Sequence, residues 1–341
     1  MLNLALVGLG FMAATHLKAL RQVPGVRVAA LCNPSGRHLD GDFSTVAGNV
    51  GDHAPVILEP GSFKPYRDYA ALLADPDLHA VDICAPTHAH RDLALAALRA
   101  GKHVLCEKPF ARTAAQAREM VAVATETNRI LMPAMCLRFL PEWAWVRAAI
   151  ADGRFGKVLS ARFRRVAEPP AWGQANFLDG AKSGGALLDL HIHDTDFVQH
   201  CFGRPRAVRS SGFTHLSGAI DHVVTTYEVA SGALVHAEGA WCMSPGFGFH
   251  MSYTVNFQRA TVDYDLARGP EALKLAEQGQ PAQVLQIGQP DGYVGELRHF
   301  VECALTGHPP TIVTAADGLS SVEICEAEEQ SIRTGSRVEL G

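Results

Sequence analysis

Residues 4 to 13 read Leu4-Ala5-Leu6-Val7-Gly8-Leu9-Gly10-Phe11-Met12-Ala13, and this stretch decides the fold of the N-terminal region. Its first four residues are apolar and predict a short buried strand. Ala13, Leu17 and Leu20 then recur at helical spacing, so a helix follows the strand almost at once. Two glycines occupy the turn between strand and helix, where a dinucleotide-binding turn must lie.

Each residue type in this turn has a physical reason. Gly8 permits the tight turn after the strand, and Gly10 lets the backbone approach a pyrophosphate. The start of the helix, at Phe11 and Met12, offers backbone N–H groups and a partial positive charge to the phosphates. We therefore expect Gly8, Gly10, Phe11 and Met12 to bind a dinucleotide.

The alternation of strand and helix continues beyond this unit as far as residue 132. Apolar runs predict further strands, and amphipathic patterns predict the helices between them. The predicted strands are Val26–Leu31, Ala80–Cys84, His103–Cys106 and Ile130–Met132, and the predicted helices are His90–Ala100 and one from the capping pattern at Thr113 to Asn128. This order predicts an α/β domain with a parallel sheet over residues 1–132, in which residues 38–65 have no assignment.

From residue 133 to 341 the pattern changes to longer alternating runs joined by short turns, which is typical of antiparallel strands. Pro141 is well placed for the first turn of a helix. The predicted strands are Val158–Phe163, Asp221–Val229, Ala233–Trp241, Met251–Phe257 and Ala260–Tyr264, with helices near 185–201, 293–306 and 315–333. The second domain is therefore predicted to be α+β, with a mainly antiparallel sheet.

Composition and charge argue against nucleic-acid binding and against a membrane-spanning segment. The 341 residues carry 30 Lys and Arg against 35 Asp and Glu, and this net charge of −5 lacks the basic excess that nucleic-acid binding requires. Charged and small residues interrupt every apolar run before the ~18 residues needed to span a bilayer. The eight cysteines form no Cys-x-x-Cys pair and several lie in apolar runs, which favours buried free thiols and a cytoplasmic protein.

Asn33 stands at the end of the second predicted strand, where a carboxylate commonly binds the adenosine ribose. A neutral amide still bonds a ribose hydroxyl but does not repel a 2′-phosphate, which Ser35 and Arg37 are able to reach. The alternative is that Asn33 to Gly36 form only a turn. The choice between NAD and NADP stays open.

Two further strand ends carry candidate residues. Lys108 follows the strand His103–Cys106, so it stands at the carboxyl edge of a parallel sheet, where ligands of such sheets bind. Pro109 confines the backbone of Lys108 to extended geometry and permits a cis peptide bond. Pro86, Thr87 and His90 follow another parallel strand, so we expect them beside the nicotinamide, with helix capping as the alternative for His90.

The segment around His193 supplies candidate acid–base groups. Asp189 and His193 are four residues apart in a predicted helix and therefore share one face. An imidazole there suits a general base that takes a hydroxyl proton, with Asp189 orienting it, while Lys108 polarises the same oxygen. His191 also belongs to a His-x-His pair, which would suit a metal together with Asp189 and Asp194, but residues two apart in a helix diverge.

Three motifs in this order resemble the Gfo/Idh/MocA oxidoreductases. They are Gly8-x-Gly10-x-x-Ala13, Glu107-Lys108-Pro109, and Gly184-Gly185-Ala186-Leu187-Leu188-Asp189-x-x-x-His193-x-x-Asp196. The resemblance implies a Rossmann domain that binds a nicotinamide cofactor, a C-terminal domain with a large open sheet, and homodimers or homotetramers that associate through that sheet. It also implies that Glu107 and Lys108 lie at the cofactor and that Lys108, Asp189 and His193 are the catalytic residues.

The substrate is expected to be a sugar, a polyol or a related small molecule whose secondary hydroxyl exchanges a hydride with NAD or NADP. Arg138 is a candidate contact for a hydroxyl-rich or carboxylate-bearing substrate, and the flat face of Trp172 suits a sugar ring. Met135, Cys136 and Leu137 depart from the polar or aromatic residues that family members often carry before this arginine.

Three alternatives remain at the level of sequence. A relative that uses NAD transiently within a glycosidase cycle would share these motifs. A non-catalytic nicotinamide-binding sensor would keep the glycine turn but would not need Lys108 and His193. A metal-dependent hydrolase would use the His191/His193 pair.

Overall fold

The computed structural model describes residues 1–46, 48, 54–170, 173–288 and 291–341. The chain forms two compact units: Met1–Phe139 with Pro290–Leu319, and Leu140–Gln289 with Ser320–Gly341. A single division after residue 132 was expected, whereas the chain returns to the first unit near its end. Residues Gly292–Thr306 form a helix whose apolar stripe of Val294, Leu297 and Phe300 is fully buried. This helix packs on the first helix and the first strand of the first unit, and it therefore belongs to that unit.

The first unit contains a six-stranded parallel sheet, as the sequence predicts. The strands are β1 (Leu2–Val7), β2 (Val26–Cys32), β3 (Lys64–Tyr66), β4 (Ala80–Ile83), β5 (His103–Glu107) and β6 (Leu131–Ala134). Their order in the sheet is β3-β2-β1-β4-β5-β6. Because the strands are parallel, the carboxyl ends of β1, β4 and β5 lie along one edge of the sheet. The strand order reverses beside β1, and ligands of such sheets bind at that edge where the order reverses.

Four helices connect these strands: α1 (Phe11–Leu20), α2 (Tyr69–Leu73), α3 (His90–Arg99) and α4 (Ala114–Thr127). The capping pattern predicted at Thr113 is present, since its hydroxyl accepts the backbone N–H of Gln116 at 3.3 Å. Asn128 ends α4 in the left-handed conformation, with a φ of 50°. The short β3 and α2 were not predicted, because neither is long enough to show a period.

The second unit contains a nine-stranded, mainly antiparallel sheet, with one parallel pair, β10 on β7. The strands are β7 (Val158–Ala167), β8 (Ala207–Phe213), β9 (His222–Glu228), β10 (Leu234–Ala240), β11 (Phe249–Phe257), β12 (Ala260–Asp265), β13 (Leu273–Glu277), β14 (Gln283–Val284) and β15 (Val338–Glu339). The order is β14-β13-β12-β11-β7-β10-β9-β8-β15. Five of these strands correspond to predicted ones, and β8 with β13 to β15 were not predicted.

The remaining helices are α5 (Pro141–Asp152), α6 (Gln174–Phe177), α7 (Gly180–Ser183), α8 (Ile192–Phe202), α9 (Gly292–Thr306) and α10 (Ala315–Thr334). Of these, α9 belongs to the first unit and α10 contains the boundary between the units. Alternate residues of the central strands are buried on one face of the sheet, where Trp143 of α5 stacks on Phe163 and meets Phe197 and Tyr253 edge-on. Across the described ranges, no helix is long and apolar enough to cross a membrane.

Candidate active site

The two glycines of the first turn differ in what requires them. Gly8 follows β1 with a φ of 85°, and a Cβ there would lie 2.6 Å from the backbone of Ala85, in the segment after β4. Gly10 begins α1 with an extended backbone, and a Cβ there would meet nothing within 4 Å. The protein's own packing therefore requires Gly8, whereas the open space at Gly10 is what the approach of a pyrophosphate needs.

The start of α1 also fits an anion. No side chain caps the helix at Gly10. The first turn of the helix begins with the half-buried residues Phe11 and Met12, and it holds no acidic residue. Ala13 is fully buried, which is the small packing position that the motif demands. Together with the space at Gly10, this end of α1 fits the pyrophosphate of a dinucleotide.

At the end of β2, Asn33 forms a closed turn. Its Oδ1 accepts the backbone N–H of Ser35 at 3.2 Å and the Ser35 hydroxyl at 3.0 Å, while its Nδ2 donates to the Arg37 carbonyl at 2.9 Å. The turn alternative of the sequence analysis is therefore present. Ser35 and Arg37 remain exposed at this edge of the sheet.

The segment after β4 is tied to the segment after β5 by His90. Pro86 is exposed and Thr87 is half-buried in a short 3-10 turn. His90 is 1% exposed, and its Nδ1 and Nε2 each lie 2.8 Å from a carbonyl oxygen, of Pro109 and Ala85 respectively. Both ring nitrogens are occupied, so His90 bridges the loop after β4 and the loop after β5.

Lys108 lies where the sequence predicts it, directly after β5 at the carboxyl edge of the sheet. Its residue is half-buried, and the peptide bond to Pro109 is cis. The backbone N–H of Lys108 donates to Oε2 of Glu107 at 2.9 Å, while the next carbonyl, that of Pro109, bonds to His90. The backbone of Lys108 is thus held on both sides.

Below Lys108 lies a buried polar cluster that the sequence analysis missed. His16 of α1 is fully buried, with Nδ1 2.8 Å from Oδ2 of Asp82 and Nε2 3.1 Å from Oε1 of Glu107. Burial alone lowers the pKa of His16, but the charge of Asp82 and its neighbours outweigh burial and raise that pKa well above its ordinary value. The available signal was a histidine on the apolar face of α1 and an aspartate inside a buried strand.

The same cluster contains a possible metal-ligand set, His16, Asp82 and Cys84. The His16 and Asp82 ligand atoms are 2.8 Å apart and form a direct hydrogen bond. Two ligands at ~2.1 Å from a tetrahedral ion would be separated by about 3.4 Å. Burial also raises the pKa of the Cys84 thiol, which opposes the thiolate that a metal needs. The arrangement is that of a hydrogen-bonded pair.

In the second unit, the chain from Leu187 to His191 takes the wider turn of a π-helix before it continues as α8. An ordinary helix was predicted here. Asp189 is 8% exposed within this turn, and His193 is half-buried in the first turn of α8. In either kind of turn, a residue four positions on lies within about 40° of the first, so Asp189 and His193 keep to one side.

His191 lies elsewhere. It is fully buried, and its Nε2 is 3.1 Å from the Tyr227 hydroxyl and 3.4 Å from Oε1 of Glu328. The helix passes close to β10 at this point, because a Cβ at Gly239 would lie 2.6 Å from that of His191. The sequence analysis did not identify this close approach at Gly239.

A metal site at the His191/His193 pair would use His191 and Asp194 as ligands, but both side chains have other contacts. Asp194 is buried in an ion pair with Arg165, whose Nε is 2.9 Å from its Oδ2. His191 is engaged with Tyr227, as described above. Among the described residues, the one grouping of three potential ligands is that of His16, and it contains neither His191 nor His193.

Of the predicted substrate contacts Lys108, Arg138, Trp172, Asp189 and His193, Arg138 is 5% exposed and packs inside the first unit. Its Nη1 donates to the Ile312 carbonyl at 2.8 Å and lies 3.3 Å from the Asp317 carboxylate. These contacts are those of a packing residue that ties the end of the parallel sheet to the start of α10. Trp172 lies outside the described residues.

Two family profiles match consecutive parts of the chain. Residues 2–135 match the Gfo/Idh/MocA profile described as an oxidoreductase family with an NAD-binding Rossmann fold. Residues 143–263 match the profile of a Gfo/Idh/MocA C-terminal domain. The two matched segments correspond to the parallel sheet and to most of the mainly antiparallel sheet.

Similar proteins span nearly the whole chain. The scyllo-inositol 2-dehydrogenase (NAD(+)) of Bacillus subtilis is 28% identical over 98% of this chain and 95% of its own length. The myo-inositol 2-dehydrogenase of Thermotoga maritima is 28% identical over 82% of this chain and 85% of its own length.

Solved structures show the same fold. The aldose-aldose oxidoreductase from Caulobacter crescentus, complexed with glycerol, has a TM-score of 0.84 and 25% identity over 99% of both chains. Levoglucosan dehydrogenase in complex with NADH also has a TM-score of 0.84, with 22% identity over 100% of this chain and 99% of its own. This chain therefore shares the fold of levoglucosan dehydrogenase over its whole length. The glycine turn at an open helix N-terminus, the lysine at the edge of the same sheet and the two matching profiles together establish that the chain belongs to the Gfo/Idh/MocA oxidoreductase family.

Proposed function

We propose that the protein is an NAD(P)-dependent dehydrogenase that oxidises a secondary hydroxyl of a sugar, polyol or related small molecule, or reduces the matching ketone. The observation that carries this proposal is the placement of Lys108 at the same sheet edge as the Gly8–Gly10 turn, on a backbone held by Glu107 and His90. A lysine fixed at the carboxyl edge of a cofactor-binding sheet is suited to act on a bound oxygen.

The cofactor residues follow from the first unit. Gly8, Gly10, Phe11 and Met12 hold the pyrophosphate, and Asn33, Ser35 and Arg37 stand at the end of β2 for the adenosine ribose. Pro86 and Thr87 follow β4, and Glu107 and Lys108 lie at the end of β5; all four serve the nicotinamide side. When bound, the nicotinamide ring exchanges a hydride with the substrate carbon, which no amino-acid side chain is able to do.

Side chains of the protein supply the rest of the proposed chemistry. The Lys108 ammonium stabilises negative charge that develops on the reacting oxygen, and the His193 imidazole takes the proton of the hydroxyl group. Asp189 orients His193 or bonds a neighbouring hydroxyl of the substrate. We assign Lys108, Asp189 and His193 to one reaction, in which Lys108 and His193 are also substrate contacts. Arg138 is not included, because its guanidinium is paired with Asp317.

The direct test is a spectrophotometric screen with NAD and NADP against scyllo-inositol, myo-inositol, levoglucosan and D-apiose, with Lys108→Met as the matched inactive control. We expect stoichiometric NADH or NADPH formation with at least one compound, and loss of that activity in the variant. Hydrolysis without net NADH would favour the glycosidase-like relative. Binding without turnover across a wider alcohol panel would favour a sensor, and chelator-sensitive hydrolysis without nicotinamide would favour the metal hydrolase.

We also propose that the protein forms a homodimer or homotetramer through the outer face of the second unit's sheet. On this face Phe213, Val224 and Leu234 are 51%, 40% and 59% exposed, and they lie on the adjacent strands β8, β9 and β10. Such apolar side chains on neighbouring strands mark an association surface. Light scattering of Val224→Lys against the wild type tests this, and an unchanged mass would count against it.

A cytoplasmic location is proposed on the chemistry of the cysteines. All eight are free, and six of them are buried. Free thiols persist in a reducing compartment. Fractionation of cells that express the native gene would test the assignment, and recovery outside the cytoplasm would overturn it.

A further inference from the structure

A buried ion-paired histidine connects the core of the first unit to the backbone of Lys108. His16, on α1, faces Asp82 of β4 through Nδ1 and Glu107 of β5 through Nε2. The side chains of His16 and Asp82 are fully buried and that of Glu107 is 6% exposed. Nδ1 is hydrogen-bonded to Asp82, whereas Nε2 lies at ion-pair distance from Glu107 without hydrogen-bond geometry. A carboxylate at each ring nitrogen favours the protonated form of the ring.

Glu107 uses its two oxygens for different partners. Oε1 lies at the ion-pair distance of 3.1 Å from His16, and Oε2 accepts the backbone N–H of Lys108 at 2.9 Å. The carboxylate therefore contacts Nε2 of His16 on one side and holds the peptide of Lys108 on the other. A rotation of this carboxylate would release the Lys108 N–H.

His16 lies at ion-pair distance from this carboxylate inside the buried cluster. The ionisable groups around His16 and Glu107 include the acids Asp82, Cys84, Cys106, Tyr293 and Glu296, together with His90 and Lys108. Burial, aided by the charge of Glu107, raises the pKa of Glu296 well above its ordinary value, and neither of its carboxyl oxygens has a hydrogen-bond partner among the described residues. Glu296 is therefore favoured in its neutral form and does not compete with Glu107 for the charge of His16.

We propose that His16 is a positioning residue for Lys108, acting through Glu107. This rests on the proposed function, because it takes Lys108 as the group that acts on the substrate oxygen. A purely structural role explains the arrangement less well. A buried ion pair seldom stabilises a fold more than apolar residues of similar size would. A small displacement of a reacting group, by contrast, is costly in rate.

Two variants separate the two sides of the ring. His16→Gln carries its amide to about the position of Nε2 and keeps a donor toward Glu107. His16→Asn carries its amide to about the position of Nδ1 and keeps a donor toward Asp82 alone. Both remove the charge, so they serve as matched controls for each other. Thermal melts establish that both are folded.

The first readout does not depend on turnover. The chain has seven lysines, so reductive methylation with ¹³C-formaldehyde gives few resonances, and that of Lys108 is assigned with Lys108→Arg. We expect His16→Asn to move the Lys108 resonance and His16→Gln to leave it near its wild-type position. The resonance of Lys64, paired with Asp75 in the same unit, should be unmoved in both. An equal Lys108 shift in the two variants, or none in either, would overturn the proposal.

If His16→Asn does not fold, Glu107→Gln replaces it. That change keeps the shape and an oxygen for the Lys108 N–H but turns an NH2 group, which cannot accept a hydrogen bond, toward Nε2 of His16. We expect the Lys108 resonance to move while the Lys64 resonance does not, and an unmoved Lys108 resonance would contradict the inference.

Kinetics on the most active alcohol of the screen give the second readout. We expect kcat to fall about tenfold or more in His16→Asn and to recover to within about threefold in His16→Gln, with KM for the cofactor nearly unchanged in both. In a Lys108→Met background the two variants should have equal kcat, because the group that His16 positions is gone. A persistent difference there would assign His16 to another role. Full activity of Lys108→Met alone would refute the proposed function instead, and the resonance shifts would still decide the placement of Lys108.

Discussion

The two glycines of the first turn give the sharpest test of where the cofactor binds. Gly10→Val adds a branched side chain at a position where the protein itself leaves space, since a Cβ there meets nothing within 4 Å. We therefore expect the variant to fold. Losing a permissive helix start costs about 1 kcal/mol, which lowers Tm by about 2–4 °C in a domain of this size.

Cofactor binding should respond more strongly than stability. If the pyrophosphate contacts the backbone at Gly10, the added side chain overpacks that contact at a cost of about 1–3 kcal/mol. At 1.4 kcal/mol per tenfold, the Kd for NADH rises about 5- to 150-fold. Protein fluorescence titrated with NADH measures the Kd, and a thermal melt of the same sample measures stability.

Gly8→Ala provides the contrast. Its φ of 85° adds about 1–2 kcal/mol for a residue with a side chain. The Cβ would also lie 2.6 Å from the Ala85 backbone, so we expect the melting temperature to fall well beyond that of Gly10→Val. Gly61→Ala is the control, because Gly61 has a φ of 81° but no neighbour within 4 Å, and it isolates the conformational cost.

Two results would refute this reasoning. Wild-type NADH affinity in Gly10→Val would show that the pyrophosphate lies elsewhere. A melting temperature of Gly10→Val as low as that of Gly8→Ala would show that the space at Gly10 is not open in solution.

Three further predictions concern the proposed catalytic and cofactor residues. Lys108→Met should lower kcat by at least ~10² while the Kd for NADH stays near wild type, and near-normal kcat would remove Lys108 from the mechanism. His193→Ala should abolish the rise in activity with pH that a neutral imidazole base produces. His191→Ala loses a core contact to Tyr227, so it should lower Tm and leave the pH–rate profile in place. A pH–rate profile changed by His191→Ala and not by His193→Ala would contradict the assignment. Asn33→Asp keeps an acceptor for the Ser35 N–H and hydroxyl but loses the donor to the Arg37 carbonyl, so the turn should hold at Ser35 and loosen at Arg37. The added charge should shift the ratio of kcat/KM values toward NAD, and an unchanged ratio would place ribose recognition elsewhere.

Much of the first unit follows from local pattern. The strand Leu2–Val7, the glycine turn and the helix Phe11–Leu20 differ from their predicted bounds by only a few residues, because burial imposes a period that the chain displays residue by residue. The same holds for the capped start of α4 and for Lys108 at the end of β5. Short elements such as β14 and β15, of two residues each, show no period and escaped prediction.

The sequence by itself therefore determined the order of elements, the class of each domain and the residue types at the strand ends, since these depend on neighbours within one turn or one strand. Only the tertiary structure decided which distant side chains meet. His16 faces Glu107, His90 bridges Ala85 to Pro109, His191 reaches Tyr227, and Gly8 is required by the backbone of Ala85. Each of these contacts joins different elements through the buried interior, where polar groups must find partners that no local spacing reveals.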